Sequence, residues 1–173
     1  MEDGQGESHL SLLKSHISKR GEYMANLQIL TEGHPMLRQR AKAIDKITKR
    51  LRQLAKDMLE TMYEAGGVGL AAPQVGISER MIVIDVGKGP IVLINPEIIA
   101  AEGQVRDVEG CLSLPGRSEY ITRAQKVKIR GWDLRGQTKT LAGENLLARA
   151  FLHETDHLNG ILFIDYLPSK DKE

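Results

Sequence analysis

His153, Glu154 and His157 are the residues of this 173-residue chain whose types and spacing point most directly to chemistry. They stand in the run His153-Glu154-Thr155-Asp156-His157. On a helix, residues four apart lie on nearly the same face, so the two imidazoles can reach one metal ion. Glu154 is turned from His153 by roughly 100°, because an α-helix has about 3.6 residues per turn. It therefore flanks such an ion rather than binding it, and is placed to exchange protons with water there. The competing reading is a helix with two satisfied or exposed histidines. The glutamate between them and the apolar face of the segment weigh for the metal.

Two histidines leave an open catalytic site one protein ligand short, since such sites hold three protein ligands and keep a further position for water or substrate. Downstream the chain offers only Asp165 and two acidic residues of the tail, and no third histidine. The best soft ligand is Cys111, in Glu109-Gly110-Cys111-Leu112-Ser113, and it is the only cysteine. A lone cysteine forms no intramolecular disulfide and can be core filler, nucleophile or ligand. Gly110 beside it removes steric bulk and lets the backbone pass close to an ion. One thiolate against a dication leaves net positive charge, enough to draw the pKa of water toward neutrality. Hydrolysis also needs donors aimed at the developing oxyanion. The stretch Gly67-Val68-Gly69-Leu70-Ala71-Ala72-Pro73-Gln74 offers small residues for close substrate approach and one amide, Gln74. A tight helix-to-strand connection explains that stretch equally well.

These residues need a frame. Ile44, Ile47, Leu51, Leu54, Met58, Leu59 and Met62 recur at three- and four-residue steps, which predicts an amphipathic helix started by Asp45 or a neighbour and ended at Gly66-Gly67. Asn26–Leu30 reads as a short extended piece. Met81–Val86, Ile91–Ile94 and Ile98–Ala101 read as strands, the last two separated by a turn at Asn95-Pro96. Between Tyr120 and Trp132, Val127 and Ile129 alternate with Lys126, Lys128 and Arg130, a half-buried strand. Gly136 turns it back into Thr138–Leu141. Glu144–Leu158 reads as a second helix, lined by Leu147, Phe151 and Leu158 and stopped by Asn159-Gly160. Strands clustered between helices rather than alternating with them predict an α+β fold.

Composition narrows the class. The 41% hydrophobic and 27% charged content is ordinary for a globular protein, and the length suits one domain. A formal net charge of +1 argues against a specific nucleic-acid site. No run approaches the roughly 18 apolar residues of a spanning helix, which predicts no membrane association. Met1–Tyr23 is polar, and its apolar patch (Leu10, Leu12, Leu13, Ile17) is too short for a secretory signal, while early acidic residues weigh against organellar targeting. Residues 1–23 are expected to be a flexible extension, from an upstream start or a tag, and residues 24–173 a single catalytic domain.

The three segments 67–74, 109–113 and 153–157, in that order, resemble the signature motifs of peptide deformylases. The resemblance runs from about Leu27 to Leu167 and includes Leu37-Arg38 and Arg123–Arg130. It implies small antiparallel sheets packed around a central C-terminal helix carrying the histidine motif. It also implies that Cys111, His153 and His157 bind one divalent ion, Fe²⁺ with Zn²⁺ or Ni²⁺ as substitutes. Glu154 would be the general acid/base, and the Gln74 amide and Leu112 N–H would polarise the formyl oxygen. Val68, Gly69, Gly110, Leu146 and Ala150 would line the substrate site, with an apolar pocket for methionine among Val68, Leu146 and Ala150. The implied substrates are N-formyl-methionyl nascent peptides, met with transient ribosome association in a bacterial-type cytoplasm. Three departures stand out. Leu152 replaces the usual Gln before the first histidine, Arg117 stands beside the position (Ser118) where the family often has Arg, and the chain stops soon after Leu167. Other readings of the same residues are a broader metallopeptidase and a catalytically silent metal-binding module.

Overall fold

The computed structural model describes residues 26–168, so the expected extension at 1–23 lies outside the described residues. The frame is α+β. Helix α1 (Lys49–Glu64) precedes strands β1 (Gly69–Ala71), β2 (Met81–Ile84), β3 (Ile91–Glu102), β4 (Val105–Cys111), β5 (Leu114–Arg123), β6 (Lys126–Trp132) and β7 (Thr138–Glu144). Helix α2 (Leu146–Leu158) and a final 3₁₀ turn (Phe163–Tyr166) follow. Five strands form one antiparallel sheet in the order β1-β2-β3-β6-β7, and β4-β5 is a separate hairpin.

Strand β2 shows why the sheet is covered on both sides. Successive side chains of a strand point to opposite faces. Met81 and Val83 enter the cluster built on α1 (Leu51, Leu54, Ala55, Met58, Met62), while Ile82 and Ile84 enter the one built on α2 (Ala148, Phe151, Leu158). A strand buried on both faces has no polar alternation, which accounts for the uninterrupted run Met-Ile-Val-Ile. A third cluster joins the hairpin (Leu114, Ile121) to the C-terminal turn (Leu162, Phe163, Ile164) and Leu37, with Cys111 against it. Helix α2 is thereby wedged between sheet and hairpin.

Four details depart from the sequence reading. Helix α1 starts later than the apolar spacing suggests, because the Thr48 hydroxyl, not Asp45, caps it by accepting from Leu51 N at 3.2 Å. Asn95-Pro96 does not divide two strands. Asn95 adopts φ 50°, the register slips between Ile94 and Glu97, and β3 runs on to Glu102. The bulge aims the Asn95 amide at Ile44, accepting from its N–H at 2.8 Å and donating to its carbonyl at 2.7 Å. The half-buried strand read from Val127 and Ile129 is β6, which Ala124 and Gln125 separate from β5. The hairpin strand β4, exposed at Arg106, Asp107 and Val108, escaped the periodicity altogether, and a short strand, β1, sits inside the glycine-rich stretch.

At the far end of α2, Asn159-Gly160 stops the helix as read. Gly160 has φ +74°, and a Cβ there would lie 2.5 Å from the Arg38 carbonyl oxygen. Both the left-handed backbone and the close approach demand glycine. Gly160→Ala is therefore expected to destabilise the fold by about 2 to 4 kcal/mol, read as a clear drop in the midpoint of urea or thermal unfolding. An unchanged midpoint would show that the turn relaxes freely.

Candidate metal centre

Helix α2 carries both histidines on its buried face, with His153 8% and His157 1% exposed. The turn from β4 to β5 brings Cys111 to meet them. The Cys111 Sγ lies 3.3 Å from His157 Nε2, and the two Nε2 atoms are 3.2 Å apart. One donor atom from each residue lies within 4.8 Å of the others. Three lone-pair donors turned toward one point are poorly satisfied by each other, because at most a proton or two can be shared among them. A single soft-to-borderline cation satisfies all three, so the donor set fits a divalent metal ion.

Glu154 sits beside this point, 4% exposed, with Oε2 lacking a hydrogen-bond partner among the described residues. Burial raises its pKa to about 7, the His153 charge opposing and the Glu109 charge adding to the rise. A carboxyl poised there exchanges protons near neutrality. Its room is made by Gly69 on β1, where a Cβ would come 2.9 Å from the Glu154 carboxyl carbon. Gln74 is 1% exposed and its amide is oriented from behind. Ala71 N donates to its Oε1 at 2.8 Å, which turns Nε2 toward Ser113 Oγ at 3.1 Å and Cys111 Sγ at 3.6 Å.

A cavity of about 570 Å³ opens over these groups. Val68, Gly69, Gln74, Gly110, Cys111, Leu112, Leu146, Ala150, His153 and Glu154 all line it, so every residue singled out from sequence reaches the cavity except His157, which lies beneath. Val68 and Leu146 are 42% and 51% exposed and form the rim, while Ala150, at 5%, belongs to the wall. Arg117 also lines the cavity, and its Nε is 3.7 Å from Glu119.

The sequence reading gave no role to the groups that hold His153. Its Nδ1 meets Glu109 Oε1 at 2.5 Å. Arg123 donates to both Glu109 oxygens, at 3.1 and 2.6 Å, and Arg149 adds a third bond at 2.7 Å. Burial alone would raise the Glu109 pKa, but the hydrogen bonds from His153 and Arg123 hold it well below the usual carboxylate range. Leu152, in place of the family's Gln, packs against the α2 core cluster, and His153 is not left without a partner by it. One sequence signal was available: Arg149 stands four residues before His153, a cation on the apolar face of its helix.

A family model described as polypeptide deformylase matches residues 26–173. The chain belongs to the peptide deformylase family. A peptide deformylase of Alkaliphilus metalliredigens is 57% identical over 142 residues, covering 82% of this chain and 97% of that one. The crystal structure of a peptide deformylase from Legionella pneumophila matches with a TM-score of 0.83 at 43% identity, over 86% of this chain and 89% of the other. One from Synechococcus elongatus, in complex with actinonin, matches with a TM-score of 0.81 at 44% identity, over 84% and 81%. The chain is accordingly a metalloamidohydrolase that removes the formyl group from N-terminal formylmethionine. Among the described residues no helix is long and apolar enough to cross a membrane.

The tight seat of Glu154 against Gly69 yields a prediction for this deformylase. Gly69→Ala is expected to displace the carboxyl and lower kcat for formyl-methionyl peptides by about 10- to 100-fold, with metal content unchanged. Steady-state kinetics beside metal analysis would check it, and wild-type kcat would refute the assigned crowding.

Proposed function

We propose that Cys111, His153 and His157 hold one divalent ion, Fe²⁺ by preference with Zn²⁺ or Ni²⁺ as substitutes, and that Glu154 moves the protons of deformylation. The observation that carries this reading is the convergence of three donor atoms within 4.8 Å beside a buried, unpartnered Glu154 oxygen. An ion held there supplies Lewis acidity and lowers the pKa of a bound water toward neutrality.

The residues divide the remaining tasks. The formylated N-terminus of a nascent peptide enters the cavity past Val68 and Leu146, with its methionine side chain against Ala150 and the stem of Arg149. Gly69 and Gly110 leave space for the peptide backbone to approach. The Gln74 amide, fixed through its oxygen by Ala71 N, donates from Nε2 to the formyl oxygen, and the Leu112 N–H in the adjoining turn adds a second donor. Glu154 takes a proton from the attacking water and delivers it to the amine nitrogen as the C–N bond breaks. Formate and a free N-terminal methionine are the products. The buried position of Glu154 keeps its carboxyl out of bulk water, so the proton it takes passes to the leaving amine.

The test pairs metal analysis of anaerobically prepared protein with formate release from a formyl-methionyl peptide, set beside its acetylated and internal-amide counterparts. Iron with selective formate release is expected, and equal cleavage of all three peptides would reject the specificity. Glu154→Ala should keep its metal and lose activity by about 10²- to 10⁴-fold; full activity would remove it from the proton path. Cys111→Ala should lose most of its metal, and an unchanged metal content would reject the third ligand.

A further inference from the structure

Asp156 is the charged member of the His153–His157 run to which the reaction gives no task. Its carboxylate is 15% exposed, and one oxygen, Oδ2, accepts two bonds: from Arg123 Nη1 at 2.6 Å and from the Tyr166 hydroxyl at 2.9 Å. The Tyr166 ring also lies against the same guanidinium, 4.4 Å from ring centroid to the Arg123 carbon. Arg123 is thus held at one end and on one face. Its other edge grips both oxygens of Glu109, and Glu109 holds Nδ1 of His153. A guanidinium is planar and rigid, so fixing one end fixes the direction of the other. The chain of contacts runs unbroken from Tyr166, half-exposed at the surface, to an imidazole at the metal centre.

The same C-terminal turn bears on His153 a second way, because Phe163 stacks on its ring with centroids 6.2 Å apart and planes 27° from parallel. His157 differs. Its Nδ1 has no hydrogen-bond partner among the described residues, and its ring is held by burial. The orientation imposed by hydrogen bonds is therefore concentrated on His153.

We propose that Asp156 and Tyr166 are positioning residues for the metal centre, fixing the Arg123 guanidinium so that Glu109 aims the His153 imidazole at the ion. This rests on the ligand assignment above. The alternative is a tie that only fastens the C-terminal turn to α2. Such a tie would contribute to stability and leave the geometry of the ion untouched.

The two can be separated with the full-length protein loaded with Co²⁺, whose visible absorption reports ligand geometry. Asp156→Asn keeps the shape and removes the charge. Tyr166→Phe keeps the ring and removes only the hydroxyl, at a position exposed enough for the variant to fold. Asp156→Asn is expected to release Co²⁺ to a chelator about 10-fold faster, to shift the d–d bands, and to lower kcat more than it changes KM. Tyr166→Phe should move all three in the same direction by less. The double variant should release Co²⁺ no faster than Asp156→Asn alone, because both act through one guanidinium. Variants with wild-type spectra and release rates, differing only in melting temperature, would overturn the proposal and leave the ligand assignment standing. A wild-type protein without a thiolate-to-cobalt band would overturn the assignment, and the proposal with it.

Discussion

The Glu109 carboxylate is the group on which the rest of the site depends. It lies on strand β4 of the hairpin, and its partners come from two further elements: Arg123 at the end of β5, Arg149 and His153 on α2. Both oxygens are engaged and the side chain is 4% exposed. An isolated carboxylate at this depth would cost several kcal/mol in lost hydration. Here Glu109 and Asp156 are matched by Arg123 and Arg149, so the buried network carries no formal excess charge. Directional bonds to a charged group resist sliding in a way that apolar contacts do not. The hairpin that carries Cys111 and the helix that carries the histidines are consequently locked in one register, which a three-donor site assembled from two elements requires.

The frame around this network follows from the two-faced sheet. Strand β2 is apolar on both sides because α1 covers one face and α2 the other. That leaves α2 buried along most of its circumference, with the sheet on one side and the hairpin cluster on the other. A helix so enclosed turns most of its polar side chains inward, and apart from Thr155, whose Oγ1 has no hydrogen-bond partner among the described residues, they serve the site. His153 and His157 face Cys111, Glu154 faces β1 and the cavity, Arg149 reaches Glu109 and the Val105 carbonyl, and Asp156 reaches Arg123. Glycines then set the clearances. Gly69 admits the Glu154 carboxyl, and Gly160 lets the chain turn against Arg38.

Much of the architecture was legible in the residues. The spacing in α1 and α2 follows the helical period, and the glycine stops after both helices fall where the structure turns. What misled was chemistry with two meanings. Asn95-Pro96 is turn-like in type, but in a long strand the same left-handed preference and missing N–H make a bulge. Strand β4 was invisible because a two-stranded hairpin buries little, so Val105, Arg106, Asp107, Val108 and Glu109 show no apolar alternation. The cap of α1 went to Thr48 because its hydroxyl reaches the Leu51 N–H, a matter of one turn of backbone that periodicity does not resolve.

The sequence by itself determined the ligands and the chemistry available to them. Donor identity is a property of residue type, and the four-residue spacing of two histidines on a helix is fixed by the pitch of the helix. It also determined the family, through the order of three short segments. Only the tertiary structure decided how those donors are held. Glu109, Arg123, Arg149, Asp156 and Tyr166 are scattered over nearly 60 positions, from 109 to 166, and nothing in the sequence gives them a shared task. Folding largely removes the four charges from water, and a buried charge must be paired within a few ångströms or not buried at all. That requirement joins four charges and Tyr166 into the support of the metal centre, and apart from Arg149 on the apolar face of its helix no local pattern records it.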